Sequence, residues 1–118
     1  MLPKENRITK RFEFDGFFGA GFKKAGGNNI SSPFLIVKTK TNKLTVSRIG
    51  FIVSNKVDNR SSVRNRVKRY LRETMRLNLD KIKNNLDILI IAQPAIKKKK
   101  HLEISNELLV LLRKARVI

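Results

Sequence analysis

Residues 62 to 73 read Ser62-Val63-Arg64-Asn65-Arg66-Val67-Lys68-Arg69-Tyr70-Leu71-Arg72-Glu73, five cationic side chains within nine positions laid over a helical apolar spacing. Val63, Val67, Leu71 and Met75 recur every four residues, with Tyr70 and Thr74 beside them, so one stripe of a helix can seat on a core. The other faces are basic: Arg64, Lys68 and Arg72 fall on one row, and Arg66, Arg69 and Arg76 on neighbouring ones. A merely solvated helix interleaves acids for pairing across a turn, whereas Glu73 is the one acid between Asp58 and Asp80. Like charge at this density repels itself unless the phosphates of a polyanion lie opposite. The stretch predicts an amphipathic helix that lies against nucleic acid.

The rest of the composition narrows the class. A chain of 118 residues with 41% apolar content suits one domain spanning residues 1–118, with a modest core. A net charge of +18 and a pI near 11.1 make a polyanion the default partner: RNA, DNA or an anionic membrane surface. Membrane is the weakest of these. The longest apolar run, Leu86–Ala92, contains Asp87, is closed by Pro94, and falls far short of the roughly 20 residues of a spanning helix. Lys4, Glu5, Arg7, Lys10 and Arg11 occupy the place of a secretory signal's apolar core, so the expected location is cytoplasmic.

Catalytic chemistry finds little purchase. No cysteine is present, which excludes disulfides, thiolate zinc sites and cysteine nucleophiles. The one histidine, His101, follows Lys97, Lys98, Lys99 and Lys100, where an exposed role is expected rather than a catalytic one. Only Glu13 and Asp15 are close enough for a two-carboxylate metal site, and on a helix they would flank Phe14 and point to different faces. A self-sufficient nuclease is therefore not expected.

Along the chain, residues 3–18 read as a first helix, with Asn6 or Thr9 as caps and Phe12, Phe14, Phe17 and Phe18 giving more rings than one face needs. A Gly/Asn-rich connection follows, then a strand over 34–37, a basic turn over 38–43, and a second β-rich stretch over 44–53 that Arg48 and Gly50 divide. No acid occurs between Gly16 and Val57, so the polyanion site is expected to extend onto the sheet. Ser61 or Ser62 is the expected cap of the basic helix, which runs to Leu79 or Ile82. Leu86–Ala92 is a buried strand, and Leu102, Ile104, Leu108, Leu109, Leu111 and Leu112 stripe a last helix. This order predicts an α/β (α+β) two-layer sandwich in which the strands flanking the basic helix pair in parallel, by a crossover that is ordinarily right-handed.

With these residues in view, the chain resembles the protein subunit of bacterial ribonuclease P over nearly its whole length. Arg64-Asn65-Arg66-Val67-Lys68-Arg69 is similar to the family's Arg-Asn-Arg signature and the basic residues after it. Arg7 with Phe14 and Phe18 resembles the first helix, Ile49-Gly50-Phe51-Ile52-Val53-Ser54-Asn55-Lys56-Val57 the third strand, and Ile90-Ile91-Ala92-Gln93-Pro94-Ala95 the last strand. The resemblance implies an α-β-β-β-α-β-α order, a mixed sheet, and a left-handed crossover through the basic helix. It implies that an RNA subunit carries the hydrolytic chemistry with Mg2+ ions, while the protein binds that RNA and the 5′ leader of precursor tRNA. It implies no small-molecule substrate and no catalytic side chain.

Carried over by position, Arg64, Asn65, Arg66, Lys68, Arg69 and Arg72 resemble the helix that contacts the catalytic RNA. Phe14, Phe18, Phe51 and Lys56 resemble the lining of a cleft for the leader strand. The chain departs from the family pattern at Val37, where relatives often place an aromatic residue, at Gln93, commonly arginine, and at Asp58, commonly a small residue. The competing reading of the same charge and size is a structural RNA-binding protein such as a small ribosomal protein.

Overall fold

The computed structural model describes residues 2–19, 21–22 and 26–118. Among the described residues, three helices, α1 (Arg11–Asp15), α2 (Ser61–Leu77) and α3 (His101–Lys114), accompany four strands, β1 (Asn28–Ser31), β2 (Leu35–Thr41), β3 (Arg48–Ile52) and β4 (Leu86–Ala92). The strands form one mixed sheet in the order β1-β2-β4-β3. β2 runs antiparallel to both β1 and β4, while β3 and β4, joined through α2, pair in parallel. The α-β-β-β-α-β-α order and the α+β class are those expected from the sequence.

α2 buries the stripe read from its spacing: Val63, Val67, Leu71, Thr74 and Met75. With Ile104, Leu108, Leu111 and Leu112 of α3, this stripe covers one face of the sheet through Leu35, Val37, Ile49, Ile88 and Ile90. A smaller cluster of Ile8, Phe17, Phe22 and Leu89, with Phe14, Ile52 and Ile91 against it, lies on the opposite face. β4 is thus covered on both sides, which is why its sequence reads as a near-continuous apolar run.

Several elements differ from the sequence reading. The first helix is far shorter than 3–18, reduced to a 3-10 turn at Lys4–Asn6 and then α1. Between them the chain is extended: Arg7 forms a parallel bridge with Ile49, and the Ile8 amide donates to the Ile49 carbonyl at 3.0 Å. β3 is an edge strand with open backbone groups, and the N-terminal segment gains more by pairing with it than by staying helical. The side chain of Phe12 lies outside the described residues.

β1 forms in the stretch read as a connection, and β2 continues to Thr41 through the supposed basic turn. Alternation explains the latter: Val37 and Thr39 point into the core while Lys38 and Lys40 lie on the other face. Of the two residues expected to divide the 44–53 stretch, Arg48 does mark a boundary, since β3 begins there and residues 44–47 lie outside it, whereas β3 runs uninterrupted through Gly50. α2 stops at Leu77, followed by a 3-10 turn at Leu79–Lys81. Neither serine side chain caps α2; Arg60 holds the N-cap position, and its amide donates to Asp58 at 2.8 Å. Leu102, placed on the apolar stripe of the last helix, is 71% exposed.

Candidate nucleic-acid interface

The four rows of α2 meet four different surroundings. The row of Val67 and Leu71 is core. Lys68 and Arg72, one turn apart on the next row, face β3 and the N-terminal segment across an open cleft of about 300 Å³. Arg7, Ile8, Thr9 and Phe14 form its opposite wall, with Ile49, Gly50 and Phe51 between. The cleft continues past the end of β3, where Arg11, Ile52 and Val53 join Thr9, Phe14, Phe51 and Lys68. Two half-buried rings and four cations line this edge, with no carboxylate among the lining residues.

The position of Phe14 is set from two sides. A Cβ at Gly50 would lie 2.7 Å from Phe14 Cε1 and 3.3 Å from Ile8 Cβ, so only glycine lets the ring rest on the strand. α1 itself is tied down by charge. Glu13 accepts from the Lys10 amide at 3.2 Å and pairs with Nη1 of Arg48. Arg48 donates from Nε and Nη2 to the two oxygens of Asp87 at 3.0 and 2.8 Å, and Asp87 also accepts from Asn42 Nδ2 at 2.8 Å. Asp87 is buried, and its hydrogen bonds, then those of Glu13, raise the Arg48 pKa above the ordinary arginine value. Both carboxylates are thereby held by one arginine and neither lines the groove, whose four cations give it a positive sign.

The residues singled out by sequence are thus divided. Phe14, Phe51, Lys68 and Arg72 come together in the cleft. Phe18 stands apart, 48% exposed on the side of β2, with Lys38 Nζ 4.6 Å from its ring centroid. Lys38 and Gly50 are both paired with Leu89, so about two strand spacings, roughly 10 Å, separate the Phe18 side from the Phe14 side. On the next row of that face Ile36, Ile91 and Ile52 adjoin in register, all half-buried, an apolar strip leading from one ring toward the other. Lys56 lines a separate groove with Asn55, Asp58, Asn59, Arg60 and Lys97 at the start of α2.

Arg64 turns back, donating from Nη1 to the carbonyls of Asp58 and Asn59 at 3.0 and 2.7 Å, so part of its fork holds the preceding loop. Arg66 donates to the Lys97 carbonyl at 3.2 Å, Arg69 lies 5.6 Å from the Tyr70 ring centroid, and Asn65 is exposed. Arg60, bonded to Asp58, holds that carboxyl well below the usual carboxylate range. Arg76 likewise lowers the pKa of Glu73. Glu13 and Asp15 do not converge: Glu13 is committed to Arg48 and Asp15 is exposed. Among the described residues, no group of three or more His, Asp or Glu side chains could hold a metal ion, and no helix is long and apolar enough to cross a membrane. The cleft cations Arg7 and Arg11 and the sheet lysines Lys38 and Lys40 were not singled out as site residues. Their signal was the acid-free run from residue 16 to 57 and the pairing of basic residues with phenylalanines at the N-terminus.

Comparison with known proteins gives one consistent result. A family model described as Ribonuclease P matches residues 2–116. The Ribonuclease P protein component of Alkaliphilus metalliredigens is 46% identical over 117 residues, covering 99% of each chain. That of Clostridium kluyveri is 39% identical over 111 residues, covering 92% of this chain and 93% of its own. Among solved structures, the RNase P protein of Staphylococcus aureus superposes with a TM-score of 0.83 at 31% identity, covering 95% of this chain and 96% of that one. The RNase P protein of Thermotoga maritima does so with a TM-score of 0.77 at 26% identity, covering 92% and 96%.

Proposed function

The chain belongs to the ribonuclease P protein family, and from that premise we propose that it is the accessory subunit of a ribonucleoprotein that removes the 5′ leader from precursor tRNA in the cytoplasm. It binds a catalytic RNA through α2 and draws the leader into the cleft along β3. The hydrolytic chemistry belongs to the RNA, with Mg2+ ions held mainly by RNA phosphates.

The observation that carries this reading is the pairing of the Phe14 and Phe51 rings with Arg7, Lys68 and Arg72 in one groove. An extended single strand presents alternating needs, flat bases and charged phosphates. Rings answer the first by stacking, worth about 1–3 kcal/mol per base, and are tolerant of sequence because every base has a π-face. Cations answer the second without reading sequence. Contact with about four to six phosphates gives a log affinity slope of roughly −3 to −4 against log salt. Such binding positions a varied leader and leaves the bond to be cut to the RNA.

The test is the affinity of the reconstituted holoenzyme for precursor and for mature tRNA, which lacks the leader. Phe14→Ala and Lys68→Gln, each first shown to fold by circular dichroism, are expected to weaken precursor binding by about 1–2 kcal/mol, roughly 5- to 30-fold, and to leave mature tRNA nearly unaffected. Equal losses for both RNAs would refute the leader assignment.

A further inference from the structure

Beyond the signature helix and the leader cleft, the structure places a second set of cations on the opposite flank of α2. The row of Arg66, Tyr70 and Thr74 faces the connection from β4 to α3. Arg66 Nη2 donates to the Lys97 carbonyl at 3.2 Å, the Tyr70 and His101 rings stack with centroids 4.4 Å apart and 8° between planes, and Thr74 Oγ1 bonds Ser105 Oγ at 3.1 Å. The segment carrying Lys97, Lys98, Lys99 and Lys100 is therefore fastened to α2 at both ends.

It is also rigid between those ends. Pro94–Lys98 forms a 3-10 turn around the fully buried Ile96, and the Lys99 amide closes onto the Ile96 carbonyl at 2.9 Å. Lys99 turns inward, its Nζ 5.2 Å from the Phe34 ring centroid, whereas Lys97, Lys98 and Lys100 are exposed. The nearby acids are largely committed elsewhere: Asp58 to Arg60, Glu73 to Arg76, and Glu103 to the Lys100 amide at 3.3 Å. Because the turn is already ordered, meeting phosphates costs its three outward lysines side-chain freedom but no backbone ordering.

Resting on the accessory-subunit reading, we propose that Lys97, Lys98 and Lys100, continuous with Arg66 and Arg69, form a second RNA-binding edge that takes the phosphate backbone of a duplex segment of the catalytic RNA. The leader strand does not reach it. A helix with its side chains is about 10–12 Å across, and α2 stands between this edge and the cleft. Duplex rather than single strand follows from the chemistry offered: point charges, with the one ring pair used to join α2 to α3. Point charges suit phosphates whose bases are already stacked and paired. α2 would thus sit as a wedge, substrate on the flank of Lys68 and Arg72, catalytic RNA on the flank of Arg66.

The test removes three charges together, Lys97→Gln, Lys98→Gln and Lys100→Gln, in the full chain. Affinity for the catalytic RNA is measured across a salt series, beside wild type and the inward-facing control Lys99→Gln. The triple variant is expected to bind at least about tenfold more weakly near 0.1 M salt, with a log–log slope shallower by about 2 to 3. Lys99→Gln is expected to keep the wild-type slope, and at saturating protein the precursor-to-mature discrimination of the triple variant is expected to stay intact. An unchanged slope and affinity in the triple variant would overturn this inference alone. So would lost discrimination with unchanged affinity for the catalytic RNA, which would move the edge to the substrate. Failure of wild type itself to bind the catalytic RNA would overturn the accessory-subunit reading as well.

Discussion

Gly50 holds the cleft open by what it lacks. With an ideal Cβ 2.7 Å from the Phe14 ring, alanine forces the ring off the strand, and the ring can swing because its other side borders the groove. Gly50→Ala is expected to cost about 1 kcal/mol in urea unfolding, at the low end of overpacking, yet to weaken precursor tRNA binding as much as Phe14→Ala does. Arg48 and Asp87 behave differently. Asp87→Ala leaves Arg48 with Glu13 alone and Asn42 Nδ2 with the Val46 carbonyl alone; since Arg48 is partly exposed, a loss of about 2–3 kcal/mol is expected, below that of a fully buried pair. Both residues were visible in the sequence as interruptions of a strand. Their real roles need partners 35 to 45 residues away, and no local pattern encodes those.

At the scale of elements, α2 separates stability from binding row by row. Leu71, fully buried, is expected to cost about 2–5 kcal/mol as Leu71→Ala, while the exposed Arg72→Ala is expected to leave the urea midpoint nearly unchanged and to reduce RNA affinity. The loop before α2 adds a pH dependence. Arg60 depresses the Asp58 carboxyl in the fold, so the pair contributes stability above the unfolded carboxyl's pKa of about 4, and that contribution is lost as pH falls below it. The drop in urea midpoint between pH 5 and pH 3 is expected to be smaller in Asp58→Asn than in wild type. α2 and β4 were legible because their burial is periodic or continuous over many residues. β1 and the end of β2 were not: an edge strand of Asn, Ile and Ser carries little β signal, and Lys38 and Lys40 read as a turn until the sheet gives them a face. The first helix was over-read because its apolar residues serve an extended pairing with β3, a tertiary contact that overrides local periodicity.

Across the whole molecule, charge is arranged by surface rather than by segment. The N-terminal segment, the loop after β3, α2 and the turn before α3 each supply cations, and Glu13 and Asp87 are both bound to Arg48. The sequence shows the excess of charge and the helix that carries its densest part. The division into a ring-lined cleft on one flank and a lysine edge on the other arises only when α2 packs between β3 and α3. The central claim is that this chain positions RNA for a cleavage that another molecule performs. It is tested most directly by 5′ leader cleavage of precursor tRNA at low Mg2+, with bacterial catalytic RNA alone, protein alone, and the two together. The account predicts that the protein alone is inert and the RNA alone is slow, and that adding the protein restores cleavage. Binding of the RNA without rescue, or cleavage by the protein alone, would contradict it.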